Sequence, residues 1–449
     1  MKTITDAEAE RLIKEAEKLS RDELKELQNK RLKELVDYVR ENSPYFKELY
    51  KDIPDDFTLA DLPSVRRDEL LPRYEDWVTE RGIKREDVLK FMEDREGSEK
   101  YLGKYSVLHT SGTTGEPMPM LRDDYHNVIH AALMRMRLYG GSMPEVLDLS
   151  KHRKLGVIFA TKGVSSYNSY LRQREAHPEY RDNFKIVSTT EPTEKIIETA
   201  REFNPESLSG YPSSLVLLAQ AQLEGRLNLD IKLALSSAEL MKEEMYNTIK
   251  KAFKCPVLNN YCSTEGGEAA MASDCPHLHI NEDWVIIEPV DKDGNVIKPD
   301  TDQWSDGIYI TDLTNQIQPI IRYHMNDRVK IHTTDDGYGK PFYWMELQDR
   351  TGSLFTFCGK QLRILQLVSC LAKNVLLIQF IQNSPDEMEI RLVPEPGYDK
   401  QELLEETKNI FTSYMEQEGC RGFKVITSDK DLIKNERGGK LSFYYKNYK

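Results

Sequence analysis

The sequence predicts an α/β protein: a large N-terminal domain with layered α/β sheets and a β subdomain, followed by a small α+β domain at the C-terminal end. Short apolar runs alternate with helical patterns from Tyr105 to Asn259, which is typical of a layered α/β domain. Consecutive β runs then follow between about residues 278 and 332, which indicates an antiparallel subdomain. The last ~100 residues combine two β runs, a helix and a final strand.

The first elements are predicted to be helices. Ser20 followed by Glu23 is a capping-box signature, and leucine and valine then recur at helical spacing as far as Val39. The dipeptide Ser43-Pro44 is expected to end that run, because the residue before a proline is disfavoured in the α region. A polar, acidic stretch punctuated by prolines continues to about residue 100.

The remaining elements are assigned by periodicity and length. The strands predicted in the layered domain are Tyr105–His109, Leu155–Thr161, Lys185–Val187, Leu233–Ser236 and Val257–Asn259. The β runs of the subdomain are His279-Ile280, Trp284–Pro289, Gly307–Asp312, Pro319–Tyr323 and Arg328–His332. The C-terminal unit is predicted as strands Val375–Gln382 and Glu387–Pro394, a helix from Lys400 to about Glu418, and a strand near Phe423–Thr427.

Composition limits the class of protein. At 449 residues, with 39% hydrophobic and 31% charged residues, the chain is long enough for two or three cores. The net charge of −13 argues against nucleic acid as a partner, because nucleic-acid binding needs a basic surface. Apolar runs are too short to span a membrane, the N-terminus lacks a signal-peptide pattern, and the six cysteines follow no disulfide spacing. We therefore expect a cytoplasmic protein.

The most specific motif is a glycine-rich loop that follows the strand Tyr105–His109. It reads Thr110-Ser111-Gly112-Thr113-Thr114-Gly115, and Glu116-Pro117 come next. Glycines let backbone N–H groups converge on an anion, and the hydroxyl groups add donors. The loop is not a Walker A motif, because the Gly-Lys-Ser/Thr ending is missing.

This loop resembles the phosphate loop of the adenylate-forming superfamily, which includes acyl-CoA synthetases, peptide-synthetase adenylation domains and luciferases. The chain looks most like the phenylacetate–CoA ligase branch and the related enzymes that adenylylate a deazaflavin coenzyme. The resemblance runs from about Leu27 to the C-terminus and includes Gly210-Tyr211-Pro212-Ser213. Three further motifs follow in the family's order, starting at Tyr261, Arg322 and Gly438.

The resemblance implies a role for each motif. In Tyr261-Cys262-Ser263-Thr264-Glu265, the ring of Tyr261 would flank the adenine, Thr264 would bond the α-phosphate, and Glu265 would help to hold Mg²⁺. Asp327 would accept hydrogen bonds from both ribose hydroxyls. A smaller element near the adenine consists of Ser237, Ala238 and Glu239.

The C-terminal motif supplies the catalytic lysine that the resemblance implies. Lys440 follows two glycines and would bridge the carboxylate and the α-phosphate during adenylation. Arg350 would approach the ribose in a hinge at residues 349–352, about which a mobile C-terminal domain swings between two half-reactions. The expected division is therefore 1–349 for the N-terminal adenylation domain, which binds ATP and the acid, and 350–449 for the small domain that carries the lysine.

Three positions depart from the family pattern. Met118 stands where the phosphate loop often has a lysine, Cys262 replaces a common glycine, and Gly352 replaces the usual hinge Asp or Lys. A glycine at the hinge should permit rotation even more freely. Separately, Cys255, Cys262, Cys275, His277 and His279 lie within 25 residues. Their spacing does not match a compact four-ligand finger, so a structural zinc is not favoured, and His279 is expected to begin a strand.

The function expected from the resemblance is ATP-dependent activation of a carboxylic acid, by default an aryl or arylacetic acid, followed by transfer to the thiol of coenzyme A. A carrier-protein phosphopantetheine would serve equally well as the acceptor, so an acyl carrier protein is a second candidate partner. An adenylyltransferase that forms an AMP ester of a hydroxylated coenzyme would use the same nucleotide site. A nucleotide-binding sensor without turnover is disfavoured by the joint presence of Lys440, Glu265 and Asp327. The branch is often dimeric, which makes a homodimer compatible with the resemblance.

Overall fold

The computed structural model describes most of the chain. The described residues are 2–93, 100–109, 118–141, 144–148, 151, 153–159, 178–188, 191, 193–241, 243–348, 354–357, 360–363, 370, 372, 375–394, 398–420, 422–430, 433 and 444–448. Within these ranges, no helix is both long enough and apolar enough to cross a lipid bilayer.

Helices dominate the first hundred residues. They are α1 (Asp6–Ala16), α2 (Arg21–Asn42), α3 (Pro44–Leu49), α4 (Arg67–Leu70), α5 (Tyr74–Trp77) and α6 (Arg85–Glu93). The predicted capping box is confirmed, because Ser20 accepts from the backbone of Glu23 and the Glu23 carboxylate accepts from the Ser20 N–H at 2.8 Å. Ser43 ends α2 as predicted, and its hydroxyl also caps α3.

Strands and helices then alternate as predicted for a layered domain. The strands are β1 (Ser106–His109), β2 (Pro119–Arg122), β3 (Leu155–Phe159), β4 (Phe184–Ser188), β5 (Ser207–Gly210), β6 (Leu233–Ser237) and β7 (Val257–Ser263). The helices are α7 (Asp124–Leu133), which continues into a π-helical turn at Met134–Leu138, then α8 (Thr193–Phe203), α9 (Pro212–Leu223) and α10 (Glu243–Phe253).

The β-rich segment is shared between two sheets. Its strands are β8 (Gly267–Ser273), β9 (Leu278–Ile280), β10 (Val285–Val290), β11 (Gly307–Asp312), β12 (Tyr323–Met325), β13 (Arg328–His332) and β14 (Trp344–Gln348). Strands β10, β11 and β12 form a separate antiparallel sheet. The other four extend the large nine-stranded sheet, whose order is β13-β14-β9-β8-β7-β6-β5-β3-β4. The run β4-β3-β5-β6-β7 is parallel, and the strands beyond β7 pair antiparallel.

One predicted strand is wrong. Pro319–Tyr323 was expected to be β, but the strand begins only at Tyr323. Proline has no N–H to donate to a sheet ladder, and the carbonyl of Pro319 instead accepts from the indole of Trp77 at 2.7 Å. The carbonyls of Ile320 and Arg322 accept from the backbone of Asp312 and Val65, so this buried segment bonds to scattered partners rather than along one neighbouring strand.

The C-terminal residues form their own apolar core. Strands β15 (Leu354–Phe357) and β16 (Lys360–Arg363) pair with each other. Strands β17 (Val375–Ser384), β18 (Glu387–Pro394), β19 (Lys424–Thr427) and β20 (Tyr444–Lys446) form a four-stranded sheet that helix α11 (Lys400–Gln417) packs against. The α+β composition expected here, and the α/β class of the whole chain, are confirmed. The division at residue 349 remains a prediction.

Candidate active site

Two of the predicted nucleotide-binding elements lie side by side. Ser237 is the last residue of β6, and it pairs in register with Asn260, the residue before Tyr261 in the parallel strand β7. Ala238 follows with a φ of +66°, which turns the chain away from the sheet. The carboxyl ends of parallel strands are the usual ligand-binding edge of an α/β sheet, so the fold brings Ser237–Glu239 and Tyr261 to one such edge.

The segment from Ser263 to Gly267 forms a tight turn that carries Thr264 and Glu265. The hydroxyl of Ser263 accepts from the N–H of Gly266 at 2.8 Å and closes the turn. A Cβ at Gly266 would lie only 2.2 Å from Cδ1 of Ile310 in β11, so only glycine lets the turn pack this closely. Thr264 and Glu265 themselves are half-buried.

Strand β2 joins this turn to the phosphate-loop region. His109 and Pro119, which flank that loop, lie opposite each other in the β1–β2 pair. From β2, one guanidinium nitrogen of Arg122 donates to the carbonyls of Ser263 at 3.0 Å and Thr264 at 3.1 Å. Strand β2, which follows the loop, is therefore hydrogen-bonded directly to the turn.

Asp327 lies in the short connection between β12 and β13, where it is 9% exposed. Tyr323 at the start of β12 pairs with Ile310 of β11, the residue against which the turn packs. The pKa of Tyr323 is raised by burial first and by the charge of Glu265 second. The β11–β12 hairpin thus packs against the turn that carries Glu265 and leads directly into the short connection that carries Asp327.

Several predicted site residues lie outside the described residues. They are Thr110, Ser111, Gly112, Thr113, Thr114 and Gly115 of the loop, Arg350 of the hinge and Lys440. The roles assigned to them stay predictions. Ser237, Ala238, Glu239, Tyr261, Thr264, Glu265 and Asp327 are described, and their roles likewise stay predictions.

Beside the turn lies a buried histidine network that sequence reasoning missed. His126 and His130 stand four residues apart on α7, so they share a face of the helix, and their rings stack at 4.0 Å between centroids. Nδ1 of His126 lies 2.7 Å from the hydroxyl of Thr314, and Nε2 of His130 lies 3.1 Å from the same oxygen. The His-x-x-x-His spacing within a predicted helix was the available signal.

By ligand type this network could hold a metal ion. The nearest ligand atoms of His126, His130 and Asp312 all lie within 4.8 Å of one another. However, the Thr314 hydroxyl lies among them, and it donates to Oδ1 of Asp312 at 2.5 Å. A hydroxyl has one hydrogen to donate and two lone pairs that can accept. In Thr314, the hydrogen goes to the Asp312 carboxylate and the two lone pairs can accept from N–H groups of the two imidazoles. We therefore interpret the cluster as a hydrogen-bonded network.

Electrostatics distinguish the two histidines. Burial and the neighbouring charge of His130 lower the pKa of His126 to about 3. Burial would also lower the pKa of His130, but hydrogen bonds to Asp312 and Glu268 outweigh it and raise the pKa to about 9. Burial would raise the pKa of Glu268, and its hydrogen bond with His130 instead lowers the pKa to about 2. At neutral pH, a charged His130 thus faces a charged Glu268.

This pairing predicts a pH dependence of stability. The folded-state pKa of His130 lies above its ordinary value of 6.5, so the folded protein binds that proton more tightly. The stabilisation is fully present below about pH 6.5 and is lost as the pH rises through 9, with a magnitude on the order of 3 kcal/mol. Urea unfolding across this range should show a steeper fall in the free energy of unfolding for the unmodified protein than for His130→Gln. Parallel curves for the two proteins would contradict the charged state of His130.

The cysteines and histidines considered for zinc do not form one ligand set. Cys255 packs in the apolar core beside β7, and Cys262 is exposed. His279 lies in β9, as predicted, and its ring separates Cys275, 4.0 Å from Nδ1, from Asp336, 2.9 Å from Nε2. Cys275 and Asp336 lie at opposite nitrogens of the His279 ring. A single metal ion bound to one of these nitrogens could therefore not also bind both residues, so this arrangement does not fit a zinc site.

Comparison with known proteins agrees with the fold. Residues 360–447 match the family model of the CapK C-terminal domain. Protein CapK of Staphylococcus aureus is 22% identical over 409 residues, covering 86% of this chain and 82% of the relative. The phenylacetate–coenzyme A ligase of Escherichia coli is 25% identical over 334 residues, covering 70% of this chain and 69% of the relative.

Solved structures show the same fold. A 2-hydroxyisobutyryl-CoA ligase in complex with 2-HIB-AMP and CoA, in the thioesterification state, superposes with a TM-score of 0.54. It is 15% identical, and the match covers 96% of this chain and 91% of that one. The fold and the relatives agree with the resemblance to the adenylate-forming superfamily that the sequence motifs carry. Within that superfamily, the chain is most similar in sequence to the branch of CapK and the phenylacetate–CoA ligases.

Proposed function

We propose that this protein is an AMP-forming acid–thiol ligase that activates a carboxylic acid, aryl or arylacetic by preference, and transfers the acyl group to coenzyme A. The observation that carries the proposal is the meeting of Ser237–Glu239 with the Tyr261–Glu265 segment at one carboxyl edge of the sheet. Arg122 joins the strand that follows the phosphate loop to the same turn. The named phenylacetate–coenzyme A ligase relatives support the choice of acid and thiol.

In the first half-reaction, a carboxylate oxygen of the acid attacks the α-phosphorus of ATP, and pyrophosphate leaves. Two anions must approach each other, so catalysis consists of positioning and charge neutralisation. The Thr264 hydroxyl would donate to the α-phosphate, Lys440 would bridge it and the carboxylate, and the Thr110–Gly115 loop would hold the leaving phosphates. Tyr261 and Ser237–Glu239 would flank the adenine.

Glu265 has the chemistry to hold Mg²⁺, because a hard cation prefers carboxylate and phosphate oxygens. When bound, the ion would neutralise charge on the phosphates. Asp327 would accept from the ribose hydroxyls, and Arg350 would approach the same sugar. In the second half-reaction, the thiol sulfur attacks the acyl carbonyl, AMP leaves and the thiol proton passes to solvent. Rotation about residues 349–352 would withdraw Lys440 between the two steps.

The proposal is tested by acid-dependent release of pyrophosphate from ATP and Mg²⁺ over a panel of aromatic and aliphatic acids, with and without coenzyme A. We expect AMP and pyrophosphate in equal amounts and an acyl-CoA product detected by mass. AMP transfer to an added hydroxylated coenzyme, independent of any thiol, would instead identify an adenylyltransferase. Absence of acid-dependent release across the panel, with ATP bound normally, would contradict the ligase assignment for those acids.

Asp327→Ala is expected to weaken ATP binding about 10- to 100-fold, because removing a charged hydrogen-bond acceptor costs roughly 1.5–3 kcal/mol. Titration calorimetry with a non-hydrolysable ATP analogue would measure the change. Asp327→Asn keeps the shape of the side chain and should lose less. Asp306→Ala, an exposed aspartate of the same β-rich segment, serves as the control and should bind normally. An unchanged affinity in Asp327→Ala would remove its ribose role.

A further inference from the structure

The turn that carries Thr264 and Glu265 is attached to the rest of the domain on two sides. On one side, Arg122 donates to the carbonyls of Ser263 and Thr264. On the other side, the chain leaves the turn through Gly267 and Glu268, both of which contact His130 of α7. The half-buried Thr264 and Glu265 thus lie between a segment bonded to Arg122 and a segment in contact with His130.

Gly267 shows how closely the turn approaches the His130 ring. Its φ is +59°, and a Cβ built on it would lie 2.3 Å from Cε1 and 2.7 Å from Nδ1 of His130. Any side chain at this position would collide with the imidazole and would also be strained by the left-handed backbone conformation. Backbone and ring are therefore packed against each other without intervening atoms.

His130 holds Glu268 in both of its protonation states. Nδ1 lies 2.8 Å from the Glu268 carboxylate and 3.0 Å from the Glu268 backbone nitrogen. A protonated imidazole forms an ion pair with the carboxylate, and an unprotonated Nδ1 accepts from the backbone N–H. In either state, the residue directly after Gly267 remains bonded to α7.

The other side of the imidazole is also occupied, which prevents the ring from turning. Nε2 of His130 lies 3.1 Å from the Thr314 hydroxyl, and Thr314 donates to the fully buried Asp312 at the end of β11. Asn315 and Gln318 from the same segment bond the backbone of β2 at Leu121, next to Arg122. The two attachments of the turn thus share one buried framework.

We propose that His130 is a positioning residue, which together with Arg122 clamps the Ser263–Gly267 turn so that Thr264 and Glu265 stay arranged for adenylation. The inference rests on the proposed function for what the turn does, but the clamp itself is a property of the unliganded protein. Rigid supporting contacts matter because a displacement of about 1 Å in a catalytic group can lower a rate ~100-fold.

The clamp is tested first by hydrogen exchange of the amides of residues 264–268 in the unliganded full-length chain. The variants are His130→Gln and Glu268→Gln, and the matched control is His126→Gln, a histidine of the same helix and burial that bonds Thr314 but not the turn. We expect exchange at these amides to accelerate ~10-fold or more in both test variants, because each removes a contact that holds Glu268. The control should change it less than about 3-fold.

The second readout separates a positioning role from a merely structural one. With an acid that the unmodified protein activates, His130→Gln and Glu268→Gln should lower kcat for pyrophosphate release ~10-fold or more while the KM for the acid changes little. His126→Gln should retain kcat even if its thermal midpoint falls as far as that of His130→Gln. Glu268→Gln, whose side chain is partly exposed, keeps the test usable should a His130 variant fold poorly.

The outcomes are distinguishable. Unchanged exchange in both test variants, or equal acceleration in His126→Gln, overturns the clamp whatever the activity. Accelerated exchange with kcat unchanged shows a clamp that does not position catalytic groups and also overturns the proposal. Absence of acid-dependent activity in the unmodified protein counts against the proposed function instead, while the exchange result still decides whether His130 holds the turn.

Discussion

Lys440→Ala is expected to lower acyl-adenylate formation at least ~100-fold while leaving transfer of the acyl group from a supplied acyl-adenylate to the thiol largely unchanged. The physical reason is that the lysine would neutralise charge only where the carboxylate meets the α-phosphate. Removing one such preorganised group typically costs 10²–10³ in rate. In the second half-reaction, the thiol attacks the carbonyl carbon and AMP leaves. A free carboxylate and the α-phosphate do not have to approach each other in this step, so the lysine is not needed between them.

The measurement is single-turnover pyrophosphate release for the first step and acyl-CoA formation from the synthetic adenylate for the second. Lys446→Ala is the matched control, because Lys446 is an exposed lysine of β20 six residues further along the chain. It should retain both steps. A loss of equal size in the two half-reactions of Lys440→Ala would show that the lysine serves folding or domain placement, and the assignment would fail.

Arg137→Met is expected to lower the free energy of unfolding by about 3 kcal/mol, because it removes the closer of the two guanidinium partners of a buried carboxylate and leaves only Arg31, at 3.9 Å. Arg137 contacts both oxygens of Asp283, at 2.7 and 3.0 Å, and Asp283 is fully buried. The guanidinium also donates to Asn281 at 3.0 Å. This ion pair ties the π-helical turn after α7 to the segment before β10.

The control for this prediction stands two residues earlier. Arg135 pairs with Asp6 and Glu10 of α1 at 2.6 and 2.9 Å, but its partners are more exposed, at 68% and 33% of their side-chain surface. Arg135→Met should therefore cost less than about 1 kcal/mol. Adding Asp283→Asn to Arg137→Met should recover part of the loss, because it removes the negative charge that Arg137 no longer neutralises. Urea unfolding of the four proteins measures both expectations, and similar losses for the two arginine variants would contradict the buried-pair explanation.

Features that depend on neighbours in sequence were predicted correctly. The Ser20–Glu23 capping box and the N-terminus of α11 at Lys400 follow from side chains within one helical turn of the backbone groups that they satisfy. Strands β17 and β18 lie where their apolar runs predict them. The resemblance put Ser237–Glu239 and Tyr261 near the same adenine, which stays a prediction, and the parallel pairing of β6 and β7 is what the structure adds.

Features that depend on distant partners were not predicted. The short strands β14 and β20 were missed because partners far away in the sequence make them strands. The predicted Pro319–Tyr323 strand failed because its backbone groups bond to separate partners, among them the Trp77 indole and the backbone of Asp312, rather than to one neighbouring strand. The β runs between about residues 278 and 332 were expected to form one subdomain, yet β9 and β13 belong to the large sheet. Hydrophobic alternation gives the orientation of a strand's two faces but does not identify the sheet that it joins.

The sequence by itself determined the class of protein, the order of its motifs and the residues proposed to bind the nucleotide, because these are carried by local patterns. Only the tertiary structure revealed the support behind them. Glu268 reaches His130 across 138 positions, and Thr314 reaches the same ring across 184. Contacts of that kind depend on how helices and sheets pack. The pKa of the buried His130 is raised by its distant partners Asp312 and Glu268, which no local sequence pattern identifies.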